Sequence, residues 1–158
     1  MGILSVIATL LCLAGIGFGV VALATTSWIN PGVGLFQTCV TFITQRCDIT
    51  IGDDIIVMVV ACLICIGLFL SIPAVLLLFV DILRTNKRKV LAAGALLVIA
   101  GILIAAGSTT YTVLRKPNNF AAALGLEDFG YSYYMSWGSC GSIFLAGIFA
   151  FAASAAAK

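Results

Sequence analysis

Residues 55–80 read IIVMVVACLICIGLFLSIPAVLLLFV, twenty-six consecutive positions without a charged side chain. A helix crosses the ~30 Å hydrocarbon core of a bilayer in about 20 residues. A backbone in lipid must satisfy its own hydrogen-bonding groups, which at this length means a helix. On one side the run meets Asp53 and Asp54; on the other it meets Asp81, Arg84, Lys87, Arg88 and Lys89. Further out lie three more apolar runs, Ile3–Ala24, Val90–Leu114 and Tyr131–Ala156, each long enough to span. Composition agrees. Of the 158 residues 63% are hydrophobic and only 9% charged, against about 25% charged in a water-soluble domain. The surface therefore faces lipid.

The stretch Val20-Val21-Ala22-Leu23-Ala24 looks like a signal-peptidase site. The first run nevertheless lacks a basic leading region and is longer than the apolar core of a signal peptide, so it is expected to remain as the first span. The expected organisation is one membrane domain, 1–158. Its helices cover 3–25, 55–80, 90–114 and 131–156, with outer loops at 26–54 and 115–130 and a cytoplasmic turn at 81–89. Orientation follows from charge. The turn carries four basic residues and one acid, whereas the outer loops carry Arg46, Arg115 and Lys116 against Asp48, Asp53, Asp54, Glu127 and Asp128. Excess Lys and Arg mark the cytoplasmic side, which places both termini inside as well.

Function classes narrow quickly. There is no histidine, the commonest metal ligand and general base. No phosphate loop, nucleophile–base pair or chain of intramembrane acids is present, so neither enzyme, cofactor, metal nor proton pathway is expected. The basic residues form no soluble face for nucleic acid. Cys62-Leu63-Ile64-Cys65 has the C-x-x-C spacing of thiol oxidoreductases, but thiols in apolar surroundings are inert. The expectation is two small apolar residues on one helix face. Cys12 and Cys140 are expected to pack, with acylation as the alternative for a thiol near the inner face.

Small residues at helical spacing predict close helix packing: Gly15 with Gly19, Gly101 with Ala105, and the ladder Ser142, Ala146, Ala150 and Ser154. A small face left pointing outward would serve a neighbour or a second copy. Pro73 predicts a kink in the second helix. Trp28, Tyr131, Tyr133, Tyr134 and Trp137 read as an interfacial aromatic belt. Asp53 and Asp54 read as amino-terminal caps of the second helix. Asn30-Pro31-Gly32 marks a turn, and the aromatic and β-branched residues from Leu35 to Thr44 favour strands. Cys39 and Cys47 stand a few residues apart on the oxidising side, and their bridge is expected to contribute about 2–3 kcal/mol.

Trp28, then Gly34-Leu35-Phe36-Gln37-Thr38-Cys39, then Cys47 resemble the signature of the claudin superfamily: a Trp after the first helix, G-L-W-x-x-C and a second Cys. That superfamily comprises the claudins, the peripheral myelin protein 22 and epithelial membrane proteins, and the calcium-channel gamma subunits. Phe36 stands where the usual Trp would be. Phe129-Gly130-Tyr131-Ser132-Tyr133-Tyr134-Met135-Ser136-Trp137 is similar to the F-G-x-x-x-Y-x-G-W with which claudins enter their last helix, Ser136 replacing Gly. Gly94, Gly101 and Ser108-Thr109-Thr110-Tyr111 resemble the family's third helix.

The resemblance implies an all-α integral membrane fold. This would be a left-handed four-helix bundle topped by a small extracellular antiparallel sheet from residues 33–50. It further implies a non-enzymatic plasma-membrane protein that works through contacts at cell junctions, with membrane lipids and other membrane proteins as partners. The alternative is an auxiliary subunit of a channel or receptor. A remote third, thiol oxidoreduction, comes from a likeness to vitamin K epoxide reductase, which also joins a loop cysteine pair to a membrane C-x-x-C. Two departures separate this chain from claudins. Only five residues, Ile29 to Val33, lie between Trp28 and Gly34, and Asp53 and Asp54 occupy the neighbourhood of a family arginine. The short loop is closer to the myelin and epithelial branch, although no N-x-S/T site occurs.

Overall fold

Helix length follows from the apolar runs, and the computed structural model turns each run into one helix. It describes residues 2–25, 27–28, 37–41, 45–49, 55–83, 87–114 and 129–156. Among these are four helices: α1 (Gly2–Ala24), α2 (Ile55–Leu83), α3 (Lys87–Leu114) and α4 (Tyr131–Ala156). Even the shortest, with 23 residues, is about 34 Å long at 1.5 Å per residue. All four are long and apolar enough to cross a bilayer, and the architecture fits a multi-pass membrane protein.

The helices form a ring in which α1 packs on α2 and α4, and α3 packs on the same two. The buried core runs the length of the bundle, through Ala8, Cys12, Ile64, Leu78, Leu97, Ile104, Ile143 and Ala150. Most of the remaining apolar surface points outward, including Phe69, Leu76 and Phe79 of α2. Such a surface suits contact with lipid.

Two boundaries differ from expectation. α2 continues to Leu83 and α3 already begins at Lys87, so the turn between them is shorter than 81–89. Asp81 is thereby carried into α2, where it is 7% exposed and accepts a 2.8 Å hydrogen bond from Ser5 Oγ of α1. A carboxylate can lie this far inside because a polar partner meets it there. α2 also runs unbroken through Pro73, which is exposed on its outer face.

Beside the helices, β1 (Gln37–Thr41) and β2 (Gln45–Ile49) pair antiparallel as a two-stranded hairpin. The chain leaves for this hairpin from the carboxyl end of α1. That end of the bundle, shared by the start of α2, the end of α3 and the start of α4, is called the hairpin end below, and the opposite one the turn end.

Candidate interaction surface

The hairpin end is organised by one indole. Trp28 lies just past α1 and is fully buried. Its Nε1–H donates to the carbonyl of Ala22 at 2.6 Å, which folds the chain back over the last turn of α1. A carbonyl that the helix end leaves without its usual partner is thus satisfied, together with the only polar atom of the indole. Tyr111, in the last turn of α3, meets the indole edge-on at 4.9 Å and 63°. Tyr133 of α4 does the same at 6.3 Å and 73°. Phe129 then stacks on Tyr133 at 4.4 Å. Three helices therefore meet on a single ring system.

The backbone reinforces this knot. Gly130 N–H donates to Trp28 O at 3.0 Å, and Ser132 N–H donates to Ser27 O at 3.3 Å. The approach is so close that a Cβ on Gly130 would run into the Ser27 carbonyl, so position 130 admits no side chain. The first and last spans are in this way stitched together where each meets its loop.

Hydroxyls complete the ties, and their proton directions can be worked out. Thr25 Oγ1 already donates to Val21 O, so in its contact with Ser132 the serine is the donor. Ser108 Oγ donates to Ile104 O at 3.0 Å, which makes Ser136 the donor across the 2.6 Å Ser108–Ser136 contact. Thr112 Oγ1 donates to Ser108 O, so the Tyr133 phenol donates to Thr112 at 2.8 Å. Ser139 Oγ donates to Gly15 O of α1 at 2.7 Å. Four donors in the first turns of α4 therefore hold α1, through Ser132 and Ser139, and α3, through Tyr133 and Ser136. Ser136, the residue that departs from the claudin-like Gly, has its partner in Ser108.

The hairpin register sets Cys39 directly opposite Cys47. Facing residues of an antiparallel pair have Cα atoms about 4.5–5.5 Å apart, inside the range of about 4.4–6.8 Å that a disulfide accepts. The backbone is therefore suited to the expected bridge. Gly34, Leu35 and Phe36 lie outside the described residues, as do Asp53, Asp54, Arg115, Lys116, Glu127 and Asp128.

The aromatic belt needs correction. Trp28 and Tyr133 are not at the lipid interface but form the centre of the knot, since each finds ring partners and a hydrogen bond inside the bundle. Tyr131, Tyr134 and Trp137 are exposed, Tyr134 to 64%, and they line the outward side of α4 beneath the knot. The small residues act mostly within the bundle. Gly15 abuts Ile143 of α4, Gly19 abuts Leu68 of α2, and Gly101 abuts Phe144 of α4. Ala146 is buried, whereas Ala105 and Ser142 are half-buried.

Cys12 is buried with its Sγ 4.0 Å from Ser71 O, and the Cys140 Sγ lies 3.5 Å from Gly101 O. Cys62 and Cys65 are both exposed on the outside of α2, so they form part of the lipid-facing surface and not of the core. Among the described residues, no group of His, Cys, Asp and Glu is placed to hold a metal ion. What the hairpin end offers is a multiply tied knot of α1, α3 and α4 with three exposed rings beside it. Ser108 and Tyr111 stand out in the sequence only as part of the third-helix motif, without a contact role, and Ser139 does not stand out at all. The spacing of Ser132, Ser136 and Ser139, four and then three residues, already places them on one helix face.

No known protein family matches the chain, and no curated protein matches it. The claudin-like motifs, and the way the fold joins them, carry the functional reading.

Proposed function

We propose that this chain is a claudin-like tetraspan protein of the plasma membrane, both termini cytoplasmic, that acts by protein–protein contact at cell–cell junctions without catalysis. One observation carries the reading: motifs a hundred residues apart in sequence, Trp28 and Phe129-Gly130 to Trp137, converge on one knot at the end of the bundle from which the chain leaves for the hairpin. A binding surface gains from such preorganisation, because less freedom is lost when a partner docks. The hairpin, closed by a Cys39–Cys47 disulfide on the outer side, presents the contact surface, and the bundle has the left-handed packing usual for membrane helices.

Expression in non-adherent cells tests this directly. The protein should concentrate where two expressing cells touch and should lose that enrichment when Cys39 and Cys47 are replaced by serine. Uniform distribution around the cell would refute junctional contact.

An auxiliary role beside a channel or receptor is the second reading. It is favoured by the five-residue spacing between Trp28 and Gly34, which leaves little protein to reach an opposing cell. The outward glycines Gly17 and Gly141 also favour it, since a side chain there would meet nothing within the bundle and a neighbouring helix could come close. Mild-detergent purification that brings down one multi-span partner at fixed stoichiometry would select this reading over the first.

A further inference from the structure

The three cations Lys87, Arg88 and Lys89 open α3 at the turn end, and all three are exposed. At 100° per residue, Arg88, Ala92, Ala95 and Ile99 fall on one stripe of the helix. Ala92 and Ala95 are exposed, so no other helix covers them, and Ile99 is half exposed further along. The stripe is thus a shallow trough about 10 Å long, floored by two methyl groups, closed by Ile99 and headed by positive charge. The outward face of α2 is unlike it, being filled by Phe69, Leu76 and Phe79.

We propose that this face of α3 seats an anionic glycerophospholipid of the adjacent leaflet, its headgroup on Lys87–Lys89 and an acyl chain along Ala92 and Ala95. Charge complementarity selects the occupant. A partner helix would need the small face but not the cations, whereas a phospholipid uses both. The long Lys and Arg stems reach the headgroup level while their heads stay in water, and basic residues at this depth attract anionic headgroups. The inference rests on the four helices spanning a bilayer but not on the junctional role, so failure at cell borders and failure of lipid binding are separate results.

The full chain is reconstituted into phosphatidylcholine vesicles containing phosphatidylserine as the minor lipid and extracted in mild detergent. The ratio of the two lipids that remain bound is then read by mass spectrometry. Phosphatidylserine should be enriched over the vesicle composition. Replacing Lys87, Arg88 and Lys89 together by glutamine should lower that enrichment about tenfold or more. The equal charge change Arg46→Gln, Arg115→Gln and Lys116→Gln should leave it unaltered. Ala95→Phe, which keeps every cation but fills the trough, should lower it several-fold. No enrichment in the natural chain, an equal loss in the control variant, or an unchanged value in Ala95→Phe would overturn the proposal. So would an oligomer that Ala95→Phe dissociates while enrichment persists, since the seat would then belong to a helix.

Discussion

The two ends of the bundle are held in different ways. At the hairpin end, α1, α3 and α4 share a buried indole, two backbone hydrogen bonds and hydroxyl donors from α4. At the turn end, Ser5 of α1 donates to Asp81 of α2, and the small apolar side chains Val90, Ala93, Ala150 and Ala153 are buried at the same end. Ties of the first kind fix relative positions, because ring edges and hydroxyls tolerate little displacement. Apolar packing of small side chains allows close approach with less directional demand. The contrast puts shared rings and hydroxyl ties at the end from which the hairpin leaves, and small-residue packing around Ser5–Asp81 at the other.

Substitutions should grade along this contrast. Trp28→Ala removes the shared ring and is expected to cost the most, about 3–5 kcal/mol, measured as loss of stability in reversible denaturant unfolding in detergent. A value near zero would mean that the knot is not a structural centre. Gly130→Ala should follow at about 1–3 kcal/mol, since the chain must shift to relieve the clash with Ser27.

Cys39→Ser is predicted to cost about 2–3 kcal/mol through the unfolded state of the hairpin. A non-reducing gel shift that vanishes with reductant checks the bridge independently. At the turn end, Ser5→Ala should cost about 1.5–3 kcal/mol, the range for a hydrogen bond to a carboxylate. If it equalled Trp28→Ala, the proposed asymmetry between the ends would be wrong. Ser136→Ala should be the mildest, about 0.6 kcal/mol, the average for interhelical hydrogen bonds in membranes. A double-mutant cycle with Ser108→Ala would sharpen it by isolating the pair.

Ser136 also shows how far sequence reading reaches. As a departure from a glycine-containing motif it looks like a local irregularity, and only its contact with Ser108, twenty-eight residues away, gives it a role. Trp28 is the converse case. Its type and place next to a membrane span predict an interfacial ring, yet Tyr111 and Tyr133 draw it inside. Cys62 and Cys65 show the same gap for α2, which apart from Ser71 and Asp81 is apolar all round. Without a polar side, hydropathy does not tell which face is covered.

Number and chemical character of the spans follow from the chain alone, because crossing hydrocarbon is a matter of length and uninterrupted apolarity. Which faces meet, that Asp81 finds Ser5, and that α4 donates protons to both neighbours were decided only in three dimensions. Helices that are apolar all round dissolve equally well on every side, so the choice of partner falls to shape and to a few hydroxyls whose mates lie far away in sequence.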